Sequence, residues 1–385
     1  MKDVTQPVRA RGTMLSAVAV VAALAALLVL APFASAASDP LASGTTTLTL
    51  NKNLFKKLKK AGVKTIKVSP GTVKVRTVTL PVSGGSLDPT NGLGTIEQSG
   101  GIKFKHGKKS AVVKTIVFDT TSSSINANVA GKKMKLASVS GVSAARSGFG
   151  ANVTVGSTKL TGKAAKQLNK KLGFTGKQAK KAPFKGGKGM GSALSETQPK
   201  TVTVLPGGEA TLLTDLETVG KFVALKVDLK PIAPATEKLA LPPSFFFPIS
   251  GGTIAPNGLG GTVQTSGGVK LIQEPVPGLE LTMTLEAIWV DLTAKTATVE
   301  VDIESSKPEL VKTPGKLGRS SIANLDLTGA TIVSNSSTHK VSVSNAKASL
   351  QGVTAAVLNE VFAGKAEVFK EGDPLGTFSF TAQTQ

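Results

Sequence analysis

Apolar and polar positions alternate along most of this chain. Val73 and Val75 alternate with Lys74 and Arg76, Ile102 and Phe104 with Lys103 and Lys105, and Val299, Val301 and Ile303 with Glu300, Asp302 and Glu304. A period of two is the pattern of a strand with one buried and one wet face. Further strands are expected at 45–50, 63–68, 134–139, 151–155, 321–327 and 340–343, with short closing strands at 190–195 and 375–381. The runs 111–118 and 281–290 are almost wholly apolar and predict buried strands ending at Asp119 and Asp291. The period turns helical at 51–62, where Leu54 and Leu58 share a face, Asn51 can cap and Gly62 can stop the helix. It does so again at 159–174, on the stripe Leu160, Ala164, Leu168 and Leu172, with Lys163, Lys166 and Lys170 on another face.

Much of this pattern occurs twice. Residues 81–104 read PVSGGSLDPTNGLGTIEQSGGIKF and residues 248–271 read PISGGTIAPNGLGGTVQTSGGVKL, each with a Ser-Gly-Gly triplet near either end. Leu160, Gly162, Leu168 and Asn169 are matched by Leu350, Gly352, Leu358 and Asn359 at an offset of 190. The strand 124–129 is matched with 298–303, so that Asn126 and Asn128 stand against Glu300 and Asp302. About ten strands and two short helices per copy, without βαβ alternation, predict an all-β chain. We expect two tandem antiparallel sandwich-like domains, each with one or two short helices, over 38–198 and 199–385. The Lys-, Ala- and Gly-rich stretch 176–188 reads as a long basic loop or a partly disordered one. The apolar triple Phe245-Phe246-Phe247 reads as core or as the edge of a pocket.

Residues 1–36 have the form of an export signal. Lys2, Arg9 and Arg11 precede an apolar run at 14–31, Pro32 breaks it, and Ala34-Ser35-Ala36 fits cleavage after Ala36. An uncleaved N-terminal anchor is the alternative. This places the protein outside the cell or on the outer face of the envelope. With no cysteine, disulfides, thiol nucleophiles and thiolate metal sites are excluded.

Charge separates the two copies. Residues 37–200 carry 29 basic and 5 acidic side chains, and residues 201–385 carry 14 and 18. Of the 29, 27 are Lys and 2 are Arg. Lysine is a point charge suited to diffuse anionic surfaces, whereas arginine forks suit base edges and discrete phosphates. No aromatics interleave with the lysines, so no specific nucleic-acid partner is expected. Anionic wall polymer, a membrane surface of anionic headgroups, or an acidic protein are the partners this charge suits. Lys56, Lys57, Lys59, Lys60, Lys103, Lys105, Lys108 and Lys109 are the candidate contact residues. The run Glu300, Asp302, Glu304 reads as a solvated strand face, since a straight strand spreads carboxylates too far for a calcium cage. Two histidines, no cysteine and no nucleophile-elbow, zinc-protease or phosphate-loop motif leave no catalytic or metal site to name.

The order of these parts resembles the HtaA domain of actinobacterial envelope proteins. The residues that carry the resemblance are Ser99-Gly100-Gly101-Ile102-Lys103-Phe104-Lys105-His106-Gly107, Ser266-Gly267-Gly268-Val269-Lys270-Leu271, and the later helices with their Leu-Asn pair. The resemblance implies a non-catalytic envelope module, and in the family's better-known members haem bound through a tyrosine phenolate supported by histidine. Here there is no tyrosine. His106 stands where the family's Gly-His histidine stands, with Lys105 in place of the glycine, and Gln273 holds the aligned position in the second copy. The haem reading therefore reduces to His106 with Phe104 and Phe246 as apolar wall. The charge reading is electrostatic adhesion by the first copy. A purely structural surface or adhesion protein is the third reading.

Overall fold

The computed structural model describes residues 38–385. The expected export signal and its cleavage site lie outside the described residues. The first repeat contains β1 (Asp39–Leu50), α1 (Lys52–Lys60), β2 (Lys64–Val68), β3 (Thr72–Lys74), β4 (Thr77–Leu87), β5 (Gly94–His106), β6 (Lys109–Asp119), β7 (Ser124–Val129), β8 (Lys132–Ser147), β9 (Gly150–Leu160), α2 (Gly162–Leu172) and β10 (Gly189–Pro199). The second contains β11 (Val202–Thr214), α3 (Leu216–Ala224), β12 (Val227–Ile232), β13 (Thr236–Lys238), β14 (Ser244–Ile254), β15 (Gly261–Thr265), β16 (Gly268–Val276), β17 (Leu279–Asp291), β18 (Thr296–Ser305), β19 (Gly315–Asp326), β20 (Thr331–Asn335), β21 (Lys340–Leu350), α4 (Gly352–Phe362) and β22 (Pro374–Thr384).

Every ladder is antiparallel, as expected for an all-β chain, and each sheet closes on itself. In the first repeat the order is β2-β5-β6-β7-β8-β9-β10-β1-β4-β3, and β4 also pairs with β5. The ring β1, β4 and β5 to β10 is thus an eight-stranded barrel with β2 and β3 laid outside it. The second repeat closes the same way through β17–β18, with β15 and β16 together doing the work of β5. The faces expected to form a sandwich are two sides of one closed sheet, which leaves no free edge on the ring.

The two Ser-Gly-Gly triplets mark the seam. The register shifts between Val82 and Gly84 in β4 and between Ile249 and Gly251 in β14, so each first triplet is a β-bulge. The second triplet is a fork. Upstream of it β5 pairs with β4, and downstream it pairs with β2. In the second repeat the chain breaks there into β15, paired with β14, and β16, paired with β12. Gly100 (φ +84°) and Gly267 (φ +77°) sit at the fork in left-handed backbone. A Cβ on Gly100 would lie 2.6 Å from the Gly71 nitrogen, and one on Gly267 2.5 Å from that of Ala235. Only glycine admits the neighbouring corner.

Inward residues of alternate strand positions fill each barrel. Leu80, Ile96, Phe118 and Ile125 are almost wholly buried in the first, and Phe245, Phe247, Val299 and Ile303 in the second. Glu300, Asp302 and Glu304 point away from that core, as their alternation requires. The match of 124–129 with 298–303 is corrected by two residues. Asp119 lies opposite Ser124 and Asp291 opposite Thr296, so Asn126 and Asn128 correspond to Thr298 and Glu300. A shift of two keeps every side chain on its face, which is why the pattern alone could not detect it.

The helices plug the barrels with short apolar stripes. Leu54 and Leu58 of α1 and Ala164, Ala165, Leu168 and Leu172 of α2 are buried. Helix α3, which the sequence reading passed over, is capped by the Asp215 side chain on the Glu217 N–H and buries Thr218 and Phe222. The repeated Leu-Asn pair has a clear task. The Asn169 amide donates to the Phe184 carbonyl (2.8 Å), and its oxygen accepts from the Phe184 N–H. Asn359 makes the same pair of bonds with Phe369. Each asparagine thus ties the loop before the last strand to the helix. The stretch 176–188 is held this way: it opens with a 3-10 turn at Gly176–Lys181, and Phe184 is buried edge-on against Phe104.

Ser38–Gln385 forms one compact unit. Phe149, at the β8–β9 turn, is buried in the second repeat's core. Arg146 donates from Nε to His339 Nε2 (3.1 Å) and also bonds the Gln385 backbone oxygen. Asp39, only 2% exposed, accepts from the N–H (3.1 Å) and hydroxyl (3.3 Å) of Thr203, while its other oxygen has no partner. Burial pushes the Asp39 carboxyl up to about 6, against the Thr203 bonds and the charge of Arg146, which act the other way. A folded-state pKa above the unfolded 3.8 means that ionised Asp39 costs stability, fully so above about pH 6, and that the cost fades as pH falls toward 4. Burial, then the charge of Arg146, holds His339 below its usual value, so its contribution is present above 6.5 and is lost as pH falls. Asp39→Asn should therefore raise the urea midpoint at pH 7, and its advantage over the wild type should shrink at pH 5. An advantage that grows on acidification would contradict this account.

Candidate functional site

His106 closes β5 against the end of α2. Its ring stacks on Phe174 with centroids 4.5 Å apart, and Nδ1 lies 3.0 Å from the Leu172 carbonyl oxygen. Leu172 is the last residue of α2, so this carbonyl is one that the helix itself leaves without a partner. Gln273 occupies the matching place in the second repeat. Its Nε2 donates to the carbonyl of Phe362, the last residue of α4, at 3.0 Å, and to that of Leu225 at 2.7 Å. The difference between histidine and glutamine, which at the sequence level marked a possible change of ligand chemistry, is two side chains doing the same structural job.

Among the described residues, neither barrel cavity is haem-sized. The second barrel holds an apolar cavity of about 120 Å³ and the first one of about 40 Å³. Pockets that enclose a cofactor-sized ligand run to roughly 300–1,000 Å³. No histidine lines either cavity. Phe104 lines the smaller one. Phe246 lines neither: β14 alternates, so Phe245 and Phe247 point into the core while Phe246 is half-buried on the outer face. The three polar residues of the larger cavity, Thr214, Thr218 and Thr354, each give their hydroxyl to a backbone carbonyl. Among the described residues, no cluster of three or more His, Asp or Glu side chains could hold a metal ion.

The lysines are placed differently. Lys56, Lys57, Lys59 and Lys60 are all exposed on α1, and Lys59 sits over the Phe55 ring. From α1 the chain runs directly into β2, where Lys64 lies opposite Lys105 and Ile66 opposite Lys103. Lys109 lies opposite His106 at the start of β6, and Lys108 is exposed in the turn before it. The same outer face continues through Lys114, opposite Asn128, to Lys133. Sequence reasoning missed Lys64, Lys114 and Lys133, whose neighbourhood is set by strand register rather than by spacing.

Like charges directly opposite one another destabilise a ladder. The second repeat avoids this at the position of Lys64 and Lys105, where Asp228 faces Ile272. Some of its charges are paired. Lys221 meets Glu217 and Asp373, Arg319 meets Glu300 at 3.0 Å while lying over Trp289, and Lys365 meets Glu360. Among the described residues these four are all the ion pairs within 4.0 Å, and none involves the first repeat. Of the first repeat's few acids, Asp39 and Asp88 are buried, and Asp119 is occupied by the Ser122 N–H.

If His106 serves to tie strand to helix, His106→Ala should lose a hydrogen bond and an aromatic stack, together about 1–3 kcal/mol. His106→Gln should recover a good part of that loss, because Gln273 already makes this bond. Chemical denaturation of the two variants reads the difference, and equal losses would contradict the shared role.

Residues 219–380 match the protein-family model HtaA, described as Htaa. Two solved structures are similar, both from Corynebacterium glutamicum. The C-terminal domain of HtaA aligns at 16% identity and TM-score 0.34, over 48% of this chain and 99% of that one. The N-terminal domain of HtaA aligns at 15% and 0.33, over 47% and 99%. No curated protein matches the chain. The matched segment runs from within α3 to within β22, nearly the whole second barrel, so it is the second repeat that matches the HtaA domain.

Proposed function

We propose that the protein is an exported, non-catalytic binding module that associates with an anionic polymer of the cell envelope through the lysine surface of its first repeat. The observation that carries this reading is the distribution of ion pairs. The 27 lysines of residues 37–200 have no carboxylate partner within 4.0 Å among the described residues and share their repeat with 5 acids, while the 14 basic residues of 201–385 are outnumbered by 18 acids and include every ion-paired cation. A linear polyanion carries condensed cations, and an array of unpaired lysines that neutralises it gains by releasing them. The match of the second repeat to the HtaA domain supports a binding module rather than an enzyme. The N-terminal pattern of residues 1–36 supports export.

The full chain should be retained on immobilised poly(glycerol phosphate), with an affinity that falls steeply between 0.05 and 0.5 M salt, since exposed charges are screened. Lys103→Glu with Lys105→Glu should weaken retention and flatten the salt dependence. The same change at Lys230 and Lys270, the opposed lysines of the second repeat, should do so far less. Retention that ignores salt, or equal losses from the two double variants, would sink the proposal.

A further inference from the structure

The two repeats contain the same cleft, built from the N-terminal turn of the first helix and the loop before the last strand. Hydrogen bonds fix the correspondence. The Asn51 N–H donates to the Met190 carbonyl (2.8 Å) as Asp215 does to Leu375 (3.1 Å). The Leu160 N–H donates to Lys188 (3.0 Å) as Leu350 does to Asp373 (2.8 Å). Gly187 returns a bond to Leu160 as Gly372 does to Leu350. Asn51 therefore matches Asp215, Asn53 matches Glu217, Lys57 matches Lys221, Lys185 matches Lys370, and Lys188 matches Asp373.

In the second repeat this place is electrically closed. Lys221 Nζ lies 2.6 Å from Asp373 and 3.1 Å from Glu217, and Asp373 also accepts the Lys370 N–H at 2.8 Å. In the first repeat all three acids are gone. Glu217 has become Asn53, Asp215 has become Asn51, and Asp373 has become a further lysine, Lys188. Lys57, Lys185 and Lys188 line one open cleft of about 180 Å³ together with Asn51 and Asn53, and no carboxylate lines it. That is room for several water molecules, or for a tetrahedral oxyanion and part of its hydration. The loop that carries Lys185 and Lys188 is tied down by Asn169 through Phe184, so the backbone bearing both lysines is held in place.

We infer that this cleft is a phosphate seat: an oxyanion bound between Lys57, Lys185 and Lys188 takes the place that the Asp373 and Glu217 carboxylates occupy in the twin. Lysine suits it, because an unshaped cluster of point charges binds a phosphate without demanding fork geometry. The inference deepens the polyanion reading and rests on it for the phosphate's source. A wall polymer and a lipid headgroup present the same group.

The test restores the twin's own chemistry. The full chain is titrated with inorganic pyrophosphate at low ionic strength by calorimetry, beside Lys188→Asp, Lys57→Gln and Lys133→Asp. The wild type should bind saturably. Lys188→Asp should lose about tenfold or more in affinity, as a neutralised contact and a repelling carboxylate combine. It should melt no lower than the wild type, because Lys57 gains a partner. Lys57→Gln should lose affinity while leaving the loop unchanged. Lys133→Asp, the same charge change on the outer sheet face, should lose little. Equal losses in Lys188→Asp and Lys133→Asp, or no saturable binding by the wild type, would overturn the seat. Pyrophosphate binding that persists when poly(glycerol phosphate) is not retained would leave the seat standing and remove the polymer as its source. Phosphatidylglycerol vesicles run in parallel would then decide for a lipid surface if they compete with pyrophosphate, and a failure of both would restrict the seat to small phosphates.

Discussion

A strand that changes partner halfway along its edge fixes the architecture of both repeats. The upstream half of β5 must reach β4 to close the barrel, while its downstream half must pair with β2. The two partners meet over Gly100, where the β2–β3 corner leaves no volume for a side chain. Close-packed interiors do not give way by such amounts. The bulge at Gly84 then turns β4 enough to bring its end onto β5. Closure in turn buries the alternating apolar set and leaves the outer face to be written freely. A ring without edges can carry an extreme charge without exposing backbone that would recruit another sheet.

That freedom is what the two copies have used differently. Their asparagine clamps and the side chains that bind the last helix carbonyl correspond, even where His106 and Gln273 differ in kind. The outer charges do not correspond. One copy keeps acids in slight excess and pairs a few of them with neighbouring cations, and the other removes the acids and multiplies the lysines. On a shared scaffold this is a change in what each surface leaves for a partner to neutralise. The polar junction of Asp39, Thr203, Arg146 and His339, with Phe149 inserted beyond it, joins the two surfaces into one unit.

Most of the strands, three of the four helices and the duplication were legible because each rests on local periodicity or on glycine punctuation, whereas β11, β12, β13 and β20 were not read as strands. Helix α3 was hidden because its stripe is short and a proline-rich segment follows at once. Barrel closure was not legible, since alternation states that one face is buried and not what covers it. The register of β18 escaped for the same reason, because a shift of two preserves the face. Candidate site residues divided along similar lines. The exposed lysines of α1 and β5 were visible from spacing. Lys188 was not, because it reaches the same cleft as Lys57 from a loop more than a hundred residues away, placed there by Asn169 and Phe184. Phe246 was drawn toward a pocket by composition, and strand alternation sends it outward.

The central claim is that anion binding belongs to the first repeat because its lysines have no internal counter-ions. Amide chemical shifts of the full, isotope-labelled chain during titration with short-chain polyphosphate test it most directly. The account predicts perturbations at Lys57, Lys185 and Lys188 and along Lys103 to Lys109, with Asp215, Lys221 and Asp373 unmoved. Shifts spread evenly over both repeats, or centred on the second, would contradict it.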